Sequence, residues 1–178
     1  GSSAASDVYK RQEPGCDYFH EMPSMVGLES VVRPRNSPLL THVHTYQGIK
    51  RVWTTFSDDQ IDLNFANPEV LCEFVHILFS YIAQGARFIR LDAIAFLWKE
   101  LSTSSINLEQ THCVVRVLRA LIDEMQTQTL LLTETNLPHN ENVSYFGSRD
   151  EAHLVYQFSL APLILYSYLF NDGQYLGQ

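Results

Sequence analysis

Two apolar runs, each ending in a carboxylate, constrain this chain more than any other feature. Ala86-Arg87-Phe88-Ile89-Arg90-Leu91 leads into Asp92, and Leu130-Leu131-Leu132-Thr133 leads into Glu134, 42 residues later. Short apolar runs of this kind read as buried strands. A helix fits between them, over about residues 108–125, with Val114, Val115, Val117, Leu118, Leu121 and Ile122 as its buried face. Strand, helix, strand is the unit that joins parallel neighbours. It delivers both carboxylates to the C-terminal edge of one sheet, where parallel barrels hold their chemistry. A carboxylate at a strand end can also cap a helix or pair with a cation. Two from adjacent strands are what retaining glycoside chemistry requires, one as nucleophile and one as acid/base.

The rest of the chain fits an α/β domain. Residues 39–46 and 50–56 read as β-runs around a turn at Gln47-Gly48. Asn67-Pro68-Glu69 opens a helix, with Asn67 as N-cap and Pro68 at N1. Its apolar positions are Val70, Leu71, Phe74, Val75, Leu78, Phe79 and Ile82, and Gly85 closes it. A polar loop over 136–151 leads to a strand at 152–158 and a last helix at about 162–170. Residues 1–12 lack an apolar period and look like a translated sequencing adapter, so the fold reading sets them aside.

Charge and cysteine count exclude several classes of partner. The net charge is −8 with no basic cluster, which argues against nucleic acid or an anionic membrane as partner. No apolar run reaches the length of a membrane span. No secretion signal is read, and three cysteines without CxxC spacing suggest reduced thiols and a cytoplasmic setting. Asn142-Val143-Ser144 is a glycosylation triplet that reads as incidental. His42 and His44 share a strand face but lack a third ligand, so no metal and no cofactor are expected.

Asp62-Leu63-Asn64-Phe65-Ala66-Asn67-Pro68-Glu69-Val70, Gly85-Ala86-Arg87-Phe88-Ile89-Arg90-Leu91-Asp92-Ala93 and Leu132-Thr133-Glu134-Thr135-Asn136 together resemble the α-amylase superfamily, glycoside hydrolase family thirteen. Arg33-Pro34-Arg35-Asn36-Ser37-Pro38, Val52-Trp53-Thr54-Thr55-Phe56 and Asp150-Glu151-Ala152-His153-Leu154-Val155-Tyr156 resemble its sucrose phosphorylase and glucosylglycerate phosphorylase branch. The resemblance implies a partial TIM (β/α)8 barrel, about strands four to six with flanking helices, over residues 61–178. It makes 13–60 the remnant of a small inserted domain. A complete barrel needs about 250 residues, so a 178-residue chain is expected to be a fragment, inactive by itself.

By the same resemblance Asp92 is the nucleophile and Glu134 the acid/base. Arg90, two residues before Asp92 and so on the same strand face, is the cation that keeps Asp92 ionised. Asn136 and Phe96 stand where the sucrose enzymes carry His and Tyr, which favours an acceptor such as glycerate or glycerol over fructose. Arg35, and Arg33 beside it, belong to a loop that reaches phosphate in the family; a guanidinium fork suits that anion. Phe56 lines the acceptor side. The implied activity is a glycosyltransferase-type phosphorylase of carbohydrate metabolism, passing a glucosyl group from an α-glucoside to inorganic phosphate. An α-glucosidase or transglucosidase, or a non-catalytic barrel acting as a binding subunit, are the alternatives; the second would be favoured by loss of Asp92 or Glu134, and both are present. The third superfamily carboxylate, on strand seven, has no counterpart among these residues.

Overall fold

The computed structural model describes residues 16–45 and 48–176, without the Cys16 side chain. Residues 1–12, which the sequence reading sets aside, and Tyr46 and Gln47, where part of the turn is expected, lie outside the described residues. By contacts the chain divides into two compact units. The first holds the described residues up to Ala86 together with Ala95–Val114; the second holds Arg87–Ile94 together with residues 115–176.

In the first unit, β1 (Leu40–Thr45) and β2 (Gly48–Trp53) form an antiparallel hairpin in register from Leu40↔Trp53 to Thr45↔Gly48. Side chains alternate across a strand, so adjacent Val52 and Trp53 enter different cores. Val52 packs with Phe19 and Val43, and Trp53 with Leu28 and Leu39. The β2 ladder stops short of the expected residue 56. The Thr55 N–H donates instead to Asp62 Oδ2 at 2.9 Å. Helix α1 (Pro68–Ala83) begins as its sequence dictates: the Asn67 side chain accepts the Glu69 N–H at 2.9 Å, and Pro68 fills a position that needs no donor. It ends at Gly85, whose φ of 92° is left-handed backbone.

The second unit is a parallel sheet in the order β3 (Phe88–Leu91), β4 (Leu130–Thr133) and β5 (Leu154–Val155). Helix α2 (Glu109–Glu124), which runs through the point of division, connects β3 to β4. Val115, Leu118 and Ile122 are buried on it, as expected. Val117 is not: it is exposed, because it lies one step past Leu121 at the margin of the apolar stripe. β5 is shorter than the expected 152–158. On its N-terminal side the His153 ring enters the ladder, Nδ1 accepting the Leu131 N–H at 3.0 Å. The segment 136–151, read from sequence as a loop, contains α3 (His139–Val143) and a 3-10 turn at Ser144–Phe146. Polar composition hid these short elements, since neither carries an apolar period. Helix α4 (Leu160–Phe170) is apolar all round, with Ile164, Tyr168, Leu169 and Phe170 exposed. Among the described residues no helix is long and apolar enough to cross a membrane.

His20 gives the first unit a pH signature. Its ring lies 6.0 Å from that of Trp53, and burial, with the nearby Lys99 ammonium, lowers its pKa from 6.5 to about 4. The unfolded chain takes up this proton near pH 6.5 and the folded chain only near 4. Stability linked to this group is therefore complete above the unfolded value and is lost as pH falls toward 4. We predict that urea unfolding of His20→Phe loses this acid-side slope, changing the wild-type-minus-variant difference by on the order of 2 kcal/mol across that window. Parallel stability profiles for the two proteins would refute the assignment.

Candidate active site

Parallel pairing places Leu91 opposite Thr133, so the next residues, Asp92 and Glu134, leave adjacent strands side by side at their C-terminal ends. The register continues past the last ladder residues through two bonds: Glu134 N–H to Leu91 O at 3.0 Å and Ile94 N–H to Glu134 O at 3.3 Å. One side-chain bond then ties the carboxylates' neighbourhoods together. The Ala93 N–H, one residue beyond Asp92, donates to Glu134 Oε2 at 2.8 Å. Ala93 takes a φ of 48° there, a left-handed conformation that costs a non-glycine residue energy. The turn after β3 thus aims a backbone donor at the Glu134 carboxylate.

Arg90 lies on the same side of β3 as Asp92, with Nη2 2.6 Å from Asp92 Oδ1. The arrangement matches period-two alternation, with buried Leu91 pointing the other way. Asn136 follows two residues after Glu134 and is exposed. Between them Thr135 is buried, and its hydroxyl donates to Asn142 Oδ1 at 2.5 Å. The Asn142 amide in turn donates to Tyr156 O at 2.9 Å. Asn142 is 3% exposed, so the side chain of the glycosylation triplet is committed to the fold. The pairing of Thr135 with Asn142 is not legible in the sequence, where Asn142 reads only as part of an incidental triplet; a polar pair seven residues apart has no pattern that separates it from ordinary loop residues.

An ion pair between a half-buried arginine and a buried carboxylate anchors the end of this segment. Arg116 Nη1 from α2 lies 3.0 Å from Glu151 Oε1, and Arg119 Nη1 donates to the Glu151 carbonyl at 3.0 Å. Glu151 is 2% exposed. Gly147 makes the bend before it, with φ 54°; an added Cβ would lie 2.9 Å from Glu151 Cγ.

The remaining expected site residues belong to the first unit. Phe56 and Phe96 meet edge-to-face, ring centroids 5.4 Å apart. Arg33 and Arg35 are exposed in a bend before β1. Near the aromatic pair lies a buried cation that the sequence reading missed. Lys99 Nζ donates to the Phe96 carbonyl, to Thr55 Oγ1 at 3.0 Å, and sits 3.3 Å from Asp62 Oδ2 and 5.6 Å from the Trp53 ring centroid. Burial pushes its ammonium below the usual lysine value, while the Asp62 carboxylate opposes the shift. His42 and His44 are exposed on β1 beside a cavity of about 270 Å³ that Asp58 and Asp59 also line. Among the described residues no three His, Cys, Asp or Glu side chains gather as metal ligands would.

A parallel sheet fed by a β-α-β crossover, with two carboxylates at its C-terminal edge, defines a piece of a (β/α)8 enzyme barrel. The chain belongs to the family described as Alpha amylase, catalytic domain, which it matches over residues 4–171. It is 49% identical over 178 residues to a glucosylglycerate phosphorylase of Spirochaeta thermophila, covering 98% of this chain and 30% of that one. It is 49% identical over 171 residues to a glucosylglycerate phosphorylase of Escherichia coli, covering 93% of this chain and 31% of that one. The crystal structure of sucrose 6F-phosphate phosphorylase from Thermoanaerobacter thermosaccharolyticum superposes with a TM-score of 0.80 at 20% identity, over 96% of this chain and 37% of that one. That likeness bears on the fold alone: the three parallel strands and their helices are part of a TIM barrel that does not close within the described residues. The chain thus spans about a third or less of the relatives it matches.

Arg116→Met keeps the aliphatic stem and removes a guanidinium that is 34% exposed from beside the buried Glu151 carboxylate. Loss of one partner of a pair that is half in solvent is destabilising by about 1 kcal/mol or more, less than for a fully buried pair. We expect a loss of that size in the unfolding free energy from urea denaturation; no measurable loss would show that this pair does not anchor the segment.

Proposed function

We propose that the protein carrying this chain is a retaining α-glucoside phosphorylase, with Asp92 as nucleophile and Glu134 as acid/base. The observation that carries the reading is the pair of carboxylates on adjacent parallel strand ends, with Glu134 held by the N–H next to Asp92. The Asp92 carboxylate attacks the anomeric carbon of an α-glucoside. The bond to the leaving oxygen breaks as that oxygen takes a proton from Glu134. A phosphate oxygen then attacks the glucosyl ester, gives its proton to Glu134, and releases Asp92 with glucose 1-phosphate. Arg90, with Nη2 2.6 Å from Asp92 Oδ1, is proposed to orient the nucleophile.

Glucosylglycerate is the proposed donor. The relatives at 49% identity named as glucosylglycerate phosphorylases support it. So do Asn136 and Phe96, which offer an amide and a bare phenyl ring where an imidazole and a phenol would serve fructose. Arg35, with Arg33, is proposed to meet phosphate, and Phe56 to line the acceptor side. A site built around one acceptor's hydroxyls discriminates against others, because buried polar groups would be left unpaired. Among the described residues Cys72 and Cys113 form no disulfide, which fits a reducing, cytoplasmic setting.

Phosphorolysis by the intact protein of glucosylglycerate, glucosylglycerol and sucrose, ranked by kcat/KM, tests this reading. We expect glucosylglycerate first, strict dependence on phosphate, and a fall of about 10²–10⁴-fold in kcat for Glu134→Gln. Sucrose in first place would overturn the donor assignment, and turnover independent of phosphate would overturn the phosphorylase.

A further inference from the structure

We infer that Thr135 and Asn142 form a positioning device for the acid/base, holding Glu134 at its working place through the buried Thr135 hydroxyl. This rests on the reading of Glu134 as acid/base and goes beyond it, because neither residue touches the reacting atoms. Beyond Thr133 the β4–β5 ladder has one further bond, Tyr156 N–H to Thr133 O at 2.8 Å. Past that point the strands would part with unpaired backbone groups. The Asn142 side chain bridges the gap. Its Oδ1 accepts from Thr135 at 2.5 Å and its Nδ2 donates to Tyr156 O at 2.9 Å. A primary amide carries one acceptor and two donor hydrogens, so it can stand in for a missing peptide group of the sheet. Thr135 and Asn142 are 2% and 3% exposed, which makes the bonds costly to leave unmade.

Glu134 is therefore held from two sides. Toward β3 it is bonded through its own N–H, its carbonyl and its carboxylate, to Leu91, Ile94 and Ala93. Toward β5 it is held through the next residue, Thr135, whose side chain lies on the opposite face by strand alternation. Releasing the β5 side frees the backbone at Glu134 to rotate and moves its carboxylate relative to the leaving oxygen. Proton transfer is sensitive to such displacement, since the acid must lie within hydrogen-bond reach.

The test separates proton delivery from folding by varying the leaving group. An alkyl α-glucoside such as glucosylglycerate departs as an alkoxide and needs the Glu134 proton. α-Glucosyl fluoride departs as fluoride and needs none, so only the C1–F bond breaks as the Asp92–C1 bond forms. In the intact enzyme, Thr135→Val should lower kcat/KM for glucosylglycerate by about 10- to 100-fold and change it for α-glucosyl fluoride by less than about threefold. Thr135→Ser, which keeps the hydroxyl, should recover most of the loss. Asn142→Asp, similar in size, puts a second acceptor against Tyr156 O and carries the same test where Thr135→Val does not fold. Equal losses on both substrates would reduce the pair to a structural role and overturn the inference, as would no loss on either. Glu134→Gln sets the benchmark: a benchmark that shows the split while Thr135→Val and Asn142→Asp do not overturns only the positioning role, whereas a benchmark without the split overturns the acid/base reading and this inference with it.

Discussion

The parallel register of β3 and β4 is the constraint on which the site depends. Parallel ladders slant, and a shift of one residue would send every side chain to the opposite face. With Leu91 opposite Thr133, Arg90, Asp92 and Glu134 share one face, while Leu91, Thr133 and Thr135 are buried on the other. Had Asp92 met Thr133 instead, the two carboxylates would point to different sides of the sheet and no shared substrate could touch both. The register is fixed by the buried set, since Leu91, Leu131 and Thr133 cannot all be turned to water cheaply. The geometry of the proposed catalytic pair is in this sense a by-product of core packing one residue away.

Each unit also buries charge close to the segments that carry proposed site residues. Lys99 pairs with Asp62 and bonds the Phe96 carbonyl in the first unit, and the pair of Arg116 and Glu151 ends the α3 segment in the second. A buried ion pair is a weak source of net stability, because desolvation consumes most of the Coulomb gain. Its value lies in geometry. The Lys99 ammonium needs three acceptors in fixed directions, and it finds them on Phe96, Thr55 and Asp62. An apolar side chain of the same volume would fill the space without fixing the backbone carbonyl of Phe96.

What the sequence made legible was whatever rests on period and punctuation. The strand-helix-strand unit, the Asn67-Pro68 start of α1, the hairpin and the Arg90–Asp92 pair all follow from spacing or from a residue with one strong conformational preference. What it concealed was whatever depends on contacts between distant residues. α3 is five residues long and has no apolar stripe to announce it. Lys99 gives no sign of burial, because its acceptors lie 37 and 44 positions away, at Asp62 and Thr55. Val117 sits in an apolar run and yet faces water, since a helical stripe has a margin that composition does not mark. The Ala93 N–H to Glu134 bond needs a positive φ that nothing short of a glycine would have signalled.

The face of the parallel sheet that carries the proposed chemistry is exposed. Arg90 and Asp92 side chains are 48% and 73% exposed, and Phe88 and Leu154 on the same face are exposed as well. In water a pair such as Arg90–Asp92 contributes little, because solvent screens the charges and competes for both. The same pair in a dry site is worth several times more, since the attraction scales inversely with the local dielectric constant. The inner face of a closed (β/α)8 barrel supplies such a site. Helix α4 makes the same point from the outside: a helix apolar on every side belongs in an interior. The residues that would act are thus set by two strands, whereas the strength of their action depends on the exclusion of water by the rest of a barrel.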